Sequence, residues 1–81
     1  MLVRVKCFAS IRELISKSEI ELELADGATT SDVLAKMAEL FPVLESELES
    51  TAVAVNMTYV TEPLALRPTD VVAILPPISG G

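Results

Sequence analysis

Eighty-one residues make one small domain, which buries about 60–65% of the surface its unfolded chain exposes and leaves room for one core but no large internal cleft. Hydrophobic residues form 51% of the chain and the net charge is −6; the first excludes a disordered tract, and the second argues against nucleic acid, whose phosphates need clustered Lys and Arg. Histidine is absent and Cys7 is the only cysteine, so His-built metal sites, Ser-His-Asp triads, histidine acid–base work and an internal disulfide are all excluded.

Residues 2–8 alternate with period two and predict a strand. Val3, Val5 and Cys7 share the expected core face, which makes Cys7 a small buried hydrophobe. Arg4, Lys6 and Phe8 share the outer face. An aromatic side chain there needs cover, so Phe8 is either an interface residue or the periphery of the core. A short helix is expected over 11–16, with Ile11, Leu14 and Ile15 at helical spacing; its Arg12 is either solvated or part of an interface. Glu19 to Leu24 alternate most cleanly, with Ile20, Leu22 and Leu24 toward a core and the intervening glutamates guarding a sheet edge. Asp26-Gly27 predicts a turn. Thr29 and Asp32 have the spacing of a capping box, and they open a main helix with Val33, Leu34, Met37, Ala38 and Phe41 along one stripe. Pro42 ends or kinks it.

The acidic stretch 43–50 predicts at most one further helical turn, carrying Leu44 and Leu48. Residues 52–55 read as a third strand, Asn56 as a turn residue, and Tyr59-Val60 as a short fourth strand. Leu66 to Asp70 form the turn that launches a last strand at Val71. With the first and last strands central and parallel, and the main helix packed across them, the expected fold is α+β. It is a β-grasp, ubiquitin-like domain spanning 1–81, with a mixed sheet of four or five strands, one main helix and 76–81 as a flexible Gly-Gly tail. The start alternates like a strand instead of forming the apolar stretch of a signal peptide, and no run approaches the roughly 18 apolar residues of a membrane span. A cytoplasmic protein without membrane or nucleic-acid partners is expected.

The end of the chain carries the chemistry. Of three glycines, two are Gly80 and Gly81, although at an average glycine frequency of about 7% a terminal pair arises in only about 0.5% of chains. A frayed terminus would explain the pair alone. Pro76, Pro77, Ile78 and Ser79, following an apolar strand, instead describe a stiff stalk with a slim tip. Prolines lower the entropy lost when such a stalk is inserted into a channel. Glycine brings no Cβ to clash with the channel walls. The terminal carboxylate is then the working group. With a pKa of about 3.3–3.7 it is an unreactive anion at neutral pH, so it becomes an acyl donor only once an oxygen is made a good leaving group, which adenylation by ATP achieves.

Phe8-Ala9-Ser10-Ile11-Arg12-Glu13-Leu14, Ala54-Val55-Asn56 and Pro76-Pro77-Ile78-Ser79-Gly80-Gly81 together resemble the small-subunit family of molybdopterin synthase, sulfur carriers related to the thiazole-synthesis carrier. The resemblance covers essentially the whole chain. It implies that an E1-like adenylyltransferase, using ATP and Mg²⁺, adenylates Gly81, and that a sulfurtransferase converts it to a thiocarboxylate. The tail would then enter the large catalytic subunit of a heterotetrameric synthase and give its sulfur to cyclic pyranopterin monophosphate, building the dithiolene. By the same resemblance Gly80 is the slim neighbour of Gly81, and Phe8, Arg12 and Leu75 join Pro76 to Ser79 in contacting partners. No cofactor or metal is expected on this chain. Family members often have an aromatic residue in place of Leu75 and a glycine within the stretch Ser16-Lys17-Ser18. The rival readings are a ubiquitin-like modifier conjugated through Gly81, a thiazole-synthesis carrier, and a binding module whose tail is never activated.

Overall fold

The alternation at the start of the chain becomes strand β1 (Leu2–Cys7), whose Val3, Val5 and Cys7 are buried while Leu2, Arg4 and Lys6 are exposed. This computed structural model describes residues 1–76. Helix α1 (Ala9–Ile15) follows, with Ile11 buried. It starts two residues earlier than its apolar spacing predicts, because Phe8 leaves the ladder and its carbonyl accepts from the N–H groups of Ile11 and Arg12 at 3.2 and 3.4 Å. Ser16 ends the helix at φ 57°, in the left-handed conformation that favours glycine at this position. Strand β2 (Glu19–Glu23) then pairs antiparallel with β1.

Helix α2 (Thr30–Leu40) opens on the expected box: the Asp32 carboxylate accepts from the Thr29 N–H at 2.8 Å, satisfying a donor the helix cannot. Val33 and Met37 are buried against the sheet, whereas Leu34, Ala38 and Phe41 are half-buried at the flanks of the stripe. After Phe41 the chain makes a 3-10 turn (Pro42–Leu44) and the one-turn helix α3 (Glu45–Leu48), which bury Leu44 and Leu48. Strands β3 (Ala52–Val55), β4 (Thr58–Val60) and β5 (Val71–Leu75) complete a five-stranded sheet in the order β2-β1-β5-β3-β4. The first and last strands are central and parallel, and the remaining pairings are antiparallel.

The core lies between α2 and the inner sheet face. Val3, Val5, Val72 and Ile74 meet Val33 and Met37 there. Burying each such side chain contributes about 1.5–3 kcal/mol. Leu66 is also in the core, although its neighbours read as a surface turn. It is drawn in because the segment 64–66 is stitched to the start of α2. The Leu66 N–H donates to the Ala28 carbonyl at 2.8 Å, the Thr30 N–H to the Leu64 carbonyl at 3.0 Å, and the Leu64 N–H to Thr30 Oγ1 at 3.2 Å.

Candidate functional site

The parallel pairing of β1 and β5 aligns Lys6 with Ala73 and Cys7 with Ile74. Phe8, still extended but one residue past β1, and Leu75, the last residue of β5, follow these pairs, so both stand at the same end of the two central strands. Lys6 and Ala73 face outward, and the period of two puts Phe8 and Leu75 on that outer face as well. Phe8 is 39% exposed and Leu75 half-buried. Directly after Phe8 the chain swings into α1 through Ala9 at φ 49°, a left-handed value that costs a residue with a Cβ about 1–2 kcal/mol. The turn places Arg12 four residues on, one helical turn from Phe8. Both border a shallow cleft of about 320 Å³ that Lys6, Ser18 and Glu19 also line. The structure thus brings Phe8, Arg12 and Leu75 to the end of the sheet from which Pro76 departs. Pro77, Ile78, Ser79, Gly80 and Gly81 lie outside the described residues.

Beyond these positions the outer face is ordered in bands. β2 presents Glu19, Glu21 and Glu23, opposite Lys6, Arg4 and Leu2 of β1 in the pairing register. Arg4 reaches Glu19 at 3.8 Å, and both are largely exposed. Such a pair contributes at most about 1 kcal/mol. None of the ion pairs among the described residues involves Arg12. On the other side of β1 the face turns apolar: Val71, Ala73 and Leu75 of β5, Ala52 and Ala54 of β3, and Tyr59 of β4, which is 54% exposed. Most of this band was not expected from the residues. The available signal is that 52–55 and 71–75 are apolar at every position, where a strand with one wet face would alternate.

Cys7 also borders the cleft beside Phe8 and Arg12 but offers it no reactive thiol. It is 1% exposed, and burial pushes its thiol up from the ordinary cysteine value, away from the reactive thiolate. No helix among the described residues is long and apolar enough to cross a membrane.

A mixed five-stranded sheet gripping one main helix, with the last strand central and running out at an apolar face, defines a ubiquitin-like β-grasp domain. The chain belongs to the ThiS family, whose model matches residues 5–81. It is 41% identical over 83 aligned positions, covering 100% of both chains, to the molybdopterin synthase sulfur carrier subunit of Chlamydomonas reinhardtii. The crystal structure of SAMP1 from Haloferax volcanii superposes with a TM-score of 0.87 at 25% identity, again over 100% of both chains. A chain in the complex of subunits 1 and 2 of the Helicobacter pylori molybdopterin-converting factor shares the fold, with a TM-score of 0.71 at 24% identity over 100% of each chain.

Proposed function

We propose that this protein is the sulfur-carrier subunit of a molybdopterin synthase. The observation that carries the reading is the 41% identity to a sulfur carrier subunit over the full length of both chains, together with the Gly80-Gly81 end. The Gly81 carboxylate attacks the α-phosphorus of ATP, with Mg²⁺ held by an E1-like enzyme, to give an acyl-adenylate and pyrophosphate. The persulfide of a sulfurtransferase displaces AMP to give an acyl disulfide, and a second thiol cleaves its S–S bond, leaving a thiocarboxylate and a disulfide. In the large catalytic subunit that sulfur passes to cyclic pyranopterin monophosphate, and water restores the carboxylate. This chain supplies reach and docking and no catalytic side chain. Pro76 to Ser79 form the stalk, Gly80 fits the channel, and the apolar face around Phe8 and Leu75, with Arg12 beside it, seats the partners.

The first test is the intact mass after incubation with ATP, Mg²⁺, a sulfur source and the cognate E1-like enzyme. The expected result is replacement of one oxygen by sulfur, mapped to Gly81. One extra residue after Gly81 should abolish transfer while leaving the fold unchanged, and retained transfer would overturn the mechanism. The likeness to SAMP1, a small archaeal modifier protein, favours a second reading, in which the activated Gly81 ends on a lysine of another protein. Recovery of the chain joined to cellular proteins by an isopeptide bond would establish it.

A further inference from the structure

The two edges of the sheet are built differently. β2 lines one edge with Glu19, Glu21 and Glu23, charges that repel an incoming strand. β4 forms the other edge with Thr58, Tyr59 and Val60 and carries no charge at all. Its ladder to β3 shows which backbone groups face out. Val55 and Thr58 flank a two-residue turn, and such a flanking pair is hydrogen-bonded. Antiparallel pairs alternate, so Val53 and Val60 are bonded as well, while the N–H and C=O of Tyr59 point away from the sheet. Outside the strand ladders, no hydrogen bond among the described residues reaches them. Beside this edge, between β4 and the first turns of α2, runs a groove of about 460 Å³. It is lined by Leu34, Val53, Val60 and Pro63, with the exposed Tyr59 and Glu62.

We propose that the β4 edge and its groove accept an extended segment of another protein, which adds as a sixth strand beside β4. Main-chain bonds to Tyr59 supply the pairing, and alternate apolar side chains of the segment enter the groove. Flanking Lys or Arg residues meet Glu62 on a chain whose net charge is −6. Charge complementarity selects this occupant over a second copy, which would bring the same −6. The site extends beyond the carrier role, since it uses neither Phe8, Arg12 nor the tail.

The probe is an end-blocked peptide, Lys-Val-Thr-Val-Ser-Val-Lys, titrated into the isotopically labelled full chain and followed by amide shifts and hydrogen exchange. The expected result is slowed exchange at the Tyr59 amide, with shifts confined to residues 30–34 and 58–63. Tyr59→Pro removes the outward N–H while sparing the bonded pairs on either side, and should weaken binding about tenfold. Glu62→Lys, at an exposed site, should weaken it about fivefold and decides the matter if Tyr59→Pro fails to fold. Shifts at β2, no shift at millimolar peptide, or unchanged affinity in Glu62→Lys would overturn the proposal. So would concentration-dependent pairing of the chain through β4, or Tyr59 protection in the free chain that vanishes when 77–81 are deleted.

Discussion

Two side chains sit where a hydrogen would cost less. Asn56 and Met57, the central residues of the β3–β4 hairpin, have φ of 50° and 70°, and positive φ at both is the signature of a type I′ turn. Asparagine tolerates that conformation because its short amide can bond nearby. Met57 gains nothing comparable, and it is 97% exposed. Met57→Gly should therefore stabilise the protein by about 1 kcal/mol, read as a higher urea midpoint with an unchanged slope. Neither position betrays its conformation by pattern. A turn at Asn56 is legible from residue type, but a methionine in the left-handed region is not, because the tight register of the flanking strands imposes it. Ser16 is the parallel case at the end of α1. There too nothing in the residue pattern announces the left-handed conformation that the structure shows.

At the scale of elements, one polar clasp ties the hairpin to the last strand. Asn56 Nδ2 donates to Asp70 Oδ1 at 2.9 Å, and Asn56 Oδ1 accepts the Val71 N–H at 3.0 Å. The other oxygen of Asp70 accepts the Arg67 N–H at 2.8 Å. Asn56→Ala should cost about 1–2 kcal/mol through the lost bonds and the lost turn preference. The Arg67 N–H, and then the Asn56 amide, hold the Asp70 carboxyl below the ordinary aspartate value. Its folded pKa is thus the lower one, so its contribution is complete above about pH 4 and is lost as pH falls through the folded value. Asp70→Asn should flatten the acid side of the stability profile, measured as urea midpoints across that range. The strands, the main helix and the capping box were all legible because periodicity and cap chemistry are local. The clasp and the burial of Leu66 were not, since each depends on residues 14 or more positions apart meeting after the chain has folded back.

For the molecule as a whole, the candidate docking face is a by-product of topology. Phe8 and Leu75 are 67 positions apart in sequence, yet parallel pairing of the first and last strands sets them at one end of the sheet. Resemblance to a family pointed to both. Composition alone could not, because an exposed aromatic residue is equally consistent with a core margin. On the proposed function, Phe8→Asp should weaken binding to a large synthase subunit and to an adenylating enzyme by about tenfold or more. Its melting temperature should stay close to that of the unaltered protein, since the side chain is 39% exposed. Calorimetric titration against each partner, beside a thermal melt, checks both halves.

The central position of β5 also has a mechanical meaning. A partner that grips the segment beyond Pro76 pulls along the axis of a strand bonded to β1 on one side and β3 on the other. Such a load shears both ladders at once instead of peeling them open one bond at a time. Resistance to pulling is set by the rate of forced unfolding and not by equilibrium stability. On the proposed function, this strand arrangement should let the domain resist a pull on its C-terminal end better than its one modest core would suggest.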